Sequence, residues 1–150
     1  MRLFAPWLAA LALAGCAPPD PCANSPATFS AIDRCIVQPT CAAFASCHSA
    51  AGHMGDLDLA TDPYNAIVGA PCKNSVAAAR GWHEVTAGDP STSFLYQKLV
   101  LPAATDKPPH PGDPLQNGGL GDRMPQTGQT LDGPSIDQIK QWIAAGAQND

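Results

Sequence analysis

Proline and glycine set the first constraint on this chain. Of its 150 residues, 16 are proline and 13 are glycine. A proline ring clashes with the preceding helical turn and has no N–H to donate, so helices here must be short. Large side chains that could fill a core are also scarce: 6% of the residues are aromatic, and a hydrophobic fraction of 45% is inflated by small residues. Such a chain buries little per residue and needs disulfides, a metal or a cofactor to hold together.

Between the breaks the pattern is helical. Phe29, Ile32 and Ile36 share one face of a helix predicted over 27–37, with Pro39 ending it. Asp62-Pro63 and Gly88-Asp89-Pro90 place a capping carboxylate before a proline suited to a first turn. They predict a short helix ending at Gly69 and another over 91–101, where Phe94, Leu95, Lys98 and Leu99 have helical spacing. Ile136, Ile139, Trp142 and Ile143 form one stripe of a last helix that begins between Asp132 and Ser135 and runs to about Ala145, with Gly146 as its cap. Residues 70–86 carry little signal, and 102–121 read as a long surface loop. There is no internal repeat and no strand period. The expectation is a mainly α fold: one small domain of about four helices with long irregular Pro/Gly-rich loops.

The N-terminus reads as a targeting segment. Arg2 precedes an apolar run, Leu3 to Ala14, of about a dozen residues, short of the ~20 that span a bilayer. Its end, Leu13-Ala14-Gly15-Cys16, resembles a bacterial lipobox. The resemblance implies cleavage before Cys16 and lipidation of its sulfur. Residues 1–15 would be the signal peptide, 16–26 a proline-rich tether, and 27–147 the domain. It also implies export and attachment to an envelope membrane through the N-terminal lipid, the domain facing the periplasm or the cell surface. A net charge of −5 with no basic cluster argues against nucleic acid as a partner. Export puts the cysteines where disulfides persist. Beyond Cys16 they number five (Cys22, Cys35, Cys41, Cys47 and Cys72), which cannot all pair.

The chemistry concentrates in residues 39–53, PTCAAFASCHSAAGH. A Cys-His pair with a second cysteine upstream is the arrangement that ties a c-type haem to a chain. The usual gap between those cysteines is two residues; between Cys41 and Cys47 it is five. On a regular helix, residues six apart point about 240° away from each other and sit ~9 Å apart along the axis. Either Ala42 to Ser46 bulge outward so that both sulfurs reach one cofactor edge, or Cys41 pairs elsewhere, with Cys47 itself as one candidate.

Cys47-His48, then Arg123-Met124-Pro125, then the helix from Ile136 to Gly146 together resemble a class I c-type cytochrome domain. VTAGDPSTSFLYQKL (85–99) and GDRMPQTGQTLDGPSIDQIKQWIAAGA (121–147) look like the cytochrome-like domains of exported bacterial proteins. The resemblance covers most of 27–147. It implies a haem c bound through Cys41 and Cys47, with His48 and Met124 as the two axial iron ligands. Trp142 and Ile143 would lie on the packed face of the last helix. A soft thioether opposite an imidazole raises the reduction potential, and iron with both positions filled transfers electrons without activating substrates. The function implied is a lipid-anchored monohaem electron carrier of the cell envelope, not an enzyme, working with an envelope redox partner protein.

Two further readings stand beside it. One is a haem-free, disulfide-stapled cytochrome-like binding or scaffold module. The other is a copper site drawn from His48, His53, Met54, His83, His110 and Met124, whose imidazole and thioether groups suit that metal. Trp82-His83-Glu84 is a candidate edge of the cofactor pocket, although His83 alone reads as a surface residue. No nucleophile, base and orienting group cluster in the sequence as hydrolytic catalysis would need.

Overall fold

The computed structural model describes residues 22–102, 116–126 and 130–150. Cys16, the signal segment, most of the tether, His110 and most of the 102–121 loop lie outside the described residues. Within them the fold is mainly α. Helices α1 (Phe29–Ile32), α2 (Pro63–Ile67), α3 (Ser75–Ala79), α4 (Phe94–Val100) and α5 (Gly133–Ala144) are joined by turns. Extended pairing among the described residues is limited to isolated bridges, Val68 with Val85, Pro71 with His83 and His83 with Ser93.

Helix α1 starts where predicted, with the Thr28 hydroxyl accepting from the Ala31 N–H. It does not stop at Pro39. It widens into a π-helical stretch, Asp33–Cys41, that contains Pro39 and ends on Cys41. The wider turn moves the hydrogen bond one residue further back, so Ala42 N donates to Val37 O at 3.0 Å. The Thr40 hydroxyl donates to Ile36 O, and the chain passes a proline that would break a tighter helix. A disulfide between Cys22 and Cys35 (Cα–Cα 5.6 Å) pins the segment ahead of α1 to the outside of this turn.

Helix α5 matches its predicted stripe: Ile139, Trp142 and Ile143 are buried. Asp132 caps it by accepting from Ser135 N at 2.9 Å, and Pro134 sits in the first turn. Its apolar face crosses α1, where the Phe29 ring lies 5.5 Å from Trp142 and 5.0 Å edge-on from Tyr64. Asp150 closes this end, accepting from Phe29 N through its side chain and from Ser30 N through its backbone.

Two expectations need correction in the middle of the chain. The predicted 91–101 helix is divided: Pro90–Thr92 form a single 3-10 turn capped by Asp89, and α4 begins at Phe94. The break falls at Ser93, fully buried, whose hydroxyl is given to Asp89 O at 2.8 Å. Helix α3, in the stretch with little signal, forms because Asn74 accepts from both Val76 N and Ala77 N.

Candidate functional site

The molecule is hollow beside the core that α1 and α5 share: Leu59 belongs to that core, Cys41 and Met124 pack against it, and all three border an open space. A cavity of about 750 Å³ with a largely apolar surface opens there, lined by Cys41, Cys47, His48 and Met124 among others. The sequence separates these four residues by as many as 83 positions, and the fold brings them to one space. That volume lies within the ~300–1,000 Å³ of pockets that take small molecules and cofactors.

Local structure explains how each arrives. Cys41 ends the π-helical turn, and its carbonyl accepts from His48 N at 3.1 Å, closing the loop between them. Residues 43–46 are pushed into solvent, with Phe44 55% exposed. Both cysteines are free thiols. The chain is turned outward over 43–46, while Ala42, expected to bulge with them, stays buried. Gly52 is required beneath this loop: a Cβ there would meet the carbonyl oxygens of Ala45 and Cys47, the latter at 2.6 Å. Met124 is delivered from α4, because its N–H donates to Lys98 O at 2.8 Å. The Lys98 ammonium donates to Leu120 O at 3.0 Å, and Asn74 Nδ2 donates to Gly119 O at 3.0 Å. Both hold the 119–126 loop across the cavity.

The electrostatics are those of groups withdrawn from water. Burial lowers the His48 pKa, opposed by the backbone of Met54 and Leu57 and reinforced by the Lys98 charge. The imidazole is thereby kept neutral, the form that binds a metal. No hydrogen bond of good geometry reaches its buried Nδ1. Burial raises the Cys41 pKa, the Thr40 hydroxyl opposes this, and the neighbouring Cys47 adds to it. Two thiols, one neutral imidazole and one thioether thus face a common apolar space, an arrangement able to bond and grip a flat apolar cofactor by its edge and faces.

Other residues fall differently. Met54 lines the cavity, whereas His53 and His83 are exposed. Among the described residues no three His, Cys, Asp or Glu side chains converge closely enough to hold a bare ion. Of Trp82-His83-Glu84, only Glu84 reaches the cavity wall. It is 5% exposed, burial raises its pKa, and the Lys73 N–H and the charges of Lys73 and Lys98 pull it down. Lys73, Asn74 and Lys98 complete the polar rim. Sequence reasoning did not single these three out, since each joins the site through tertiary contacts; the capping pattern Asn74-Ser75 was the one local signal. Cys72 is buried beside Phe94, Ala77 and Leu120, and its pKa is pushed up to about 12 by burial and by Glu84. It stays an inert thiol. No protein-family model, curated protein or solved structure matches this chain.

Proposed function

We propose that the protein is a monohaem c-type cytochrome-like electron carrier, exported and anchored to an envelope membrane through a lipid on Cys16. The observation that carries the reading is the cavity itself, with Cys41, Cys47, His48 and Met124 on one wall system. The residues fit the group. The two thiols are free, as thioether bonds to haem vinyl groups require. The bulge at 43–46 answers the five-residue gap. Burial keeps the His48 imidazole in the neutral form that binds a metal. The bound haem would supply a one-electron iron couple and the apolar bulk that the side chains lack.

The chain's own residues do the rest. Cys41 and Cys47 would hold the cofactor through their thiols, and His48 and Met124 would offer an imidazole and a thioether to its iron, while Leu57, Leu59, Phe94 and Leu95 line the space and would exclude water. On this reading Cys22 pairs with Cys35, Cys41 and Cys47 take the cofactor, and one cysteine, the buried Cys72, is left over. The partner is a one-electron donor or acceptor protein of the envelope.

The test is expression in a host with haem-attachment machinery, followed by a pyridine haemochrome assay and mass analysis of peptides spanning 41–48. The expected result is one haem per chain on Cys41 and Cys47. Protein that matures with both thiols free or crosslinked and no haem mass overturns the reading.

A further inference from the structure

Glu84 stands on the wall between two hollows. It lines the main cavity and also a second cavity of about 290 Å³, which it shares with Asp56, Asp58, Lys73, Ala66 and Pro71. Its chain is held on both sides, Glu84 N donating to Ala70 O at 2.8 Å and Glu84 O accepting from Leu95 N at 2.9 Å. The carboxylate accepts from the Lys73 N–H at 3.1 Å. A carboxyl group that is 5% exposed, away from the iron-ligand candidates in sequence, is costly to keep charged in an apolar wall unless its charge or its proton has a use.

We propose that Glu84 is the proton-exchange group of the main cavity, gaining a proton through the second cavity when an electron enters and losing it when the electron leaves. This deepens the electron-carrier reading and rests on it. One electron from a one-electron donor converts ferric to ferrous haem and removes one positive charge from the cavity. One proton from solvent adds to a Glu84 carboxylate oxygen, giving the neutral acid; no other bond forms or breaks. The groups facing Glu84 fit this exchange. Lys73 and Lys98 are the cations that oppose its neutralisation, and Asp122 holds part of the Lys98 charge. Asp56 and Asp58 line the second cavity, and Asp56 is exposed to solvent there. Cys72, whose thiol senses the Glu84 charge, stays protonated throughout. Burial tilts Glu84 toward the neutral acid while the Lys73 N–H and the charges of Lys73 and Lys98 favour the carboxylate, a balance that a change of charge in the cavity would shift.

The experiment is a mediated spectroelectrochemical titration of the haem-loaded full chain between acid and alkaline pH, beside Glu84→Gln. A tenfold difference in proton affinity between the two redox states is worth about 59 mV in a one-electron couple. The wild-type potential should fall by about that much or more as pH rises through the Glu84 window, and the Glu84→Gln profile should be flat there. Parallel profiles overturn the proposal. Redox-difference infrared spectroscopy on the wild type needs no variant: a protonated-carboxyl carbonyl band should grow on reduction, and its absence overturns the proposal even if Glu84→Gln fails to fold. A chain that carries no covalent haem overturns the electron-carrier reading and this one together. A haem-loaded chain with parallel profiles overturns this one alone.

Discussion

The α1–α5 crossing and the cavity are built from the same chain by opposite means. At the crossing, Phe29, Ile32, Ile36, Trp142 and Ile143 fill the space themselves. Their polar atoms are paired, as when Trp142 Nε1 donates to Gln148 O at 2.8 Å. Beside this core, Cys41, His48 and Met124 border an open volume, and the His48 Nδ1 is buried without a hydrogen-bond partner of good geometry. The first region is complete as protein. The second leaves a space its own side chains do not fill, and on the proposed reading the stability of the two regions should respond to different things.

The sharpest way to break the contrast is to remove the grip. His48→Ala, or Cys41→Ser with Cys47→Ser, should abolish stable haem incorporation, read as loss of the reduced α-band. Far-UV circular dichroism should still report α1 and α5. Loss of all helix in these variants would show that the two regions are not separable. Next in size is Trp142→Ala at the crossing. Truncating a buried Trp costs about 3–5 kcal/mol, which urea unfolding should report in haem-loaded and haem-free protein alike. A cost confined to one form would blur the distinction.

Gly52→Ala strikes the floor of the cysteine loop. Overpacking of this kind costs roughly 1–3 kcal/mol, and the damage should appear as reduced haem attachment with hydrogen-exchange protection of α5 unchanged. Asn74→Ala loses the α3 cap, worth about 1 kcal/mol, together with the bond to Gly119 O. Exchange should rise in 119–126 and stay low around Trp142.

The smallest effect concerns acid. Hydrogen bonds from Ser135 hold the Asp132 carboxyl below the usual carboxylate range. A group depressed in the folded state contributes stability above its unfolded value and loses it as pH falls through its folded value. Thermal midpoints should thus decline modestly below the carboxylate range, and Asp132→Asn should lower the neutral midpoint slightly while flattening that decline. A steeper acid decline in the variant would contradict the capping role.

How far the sequence foretold each region follows from the same difference. Helix α5 could be read because Ile139, Trp142 and Ile143 repeat at helical spacing and Asp132 marks its start, both local signals. The mainly α class followed from such stripes. The turn past Pro39 could not be read, since it depends on a wider hydrogen-bond pattern and on the Thr40 hydroxyl rather than on proline's local preference. In the cavity, Cys41, Cys47, His48 and Met124 were legible as chemistry because their residue types are unusual together. Glu84 was placed at the pocket edge with Trp82 and His83, and of the three it alone lines the cavity. Lys98 and Asn74 were not so placed: an ordinary amine and amide become wall residues through contacts with Leu120 and Gly119.

The covalent bridge between Cys22 and Cys35 has a mechanical meaning if the chain is moored upstream of it. Residues 25 and 26 are also clasped by Gln138 Nε2 on α5. Tension arriving along the leash would be taken up by that bridge and clasp and spent on the sturdier half of the molecule. The loop from 41 to 48 would feel little of it, so the hollow could keep its shape while the whole body swings at the membrane surface in search of a partner.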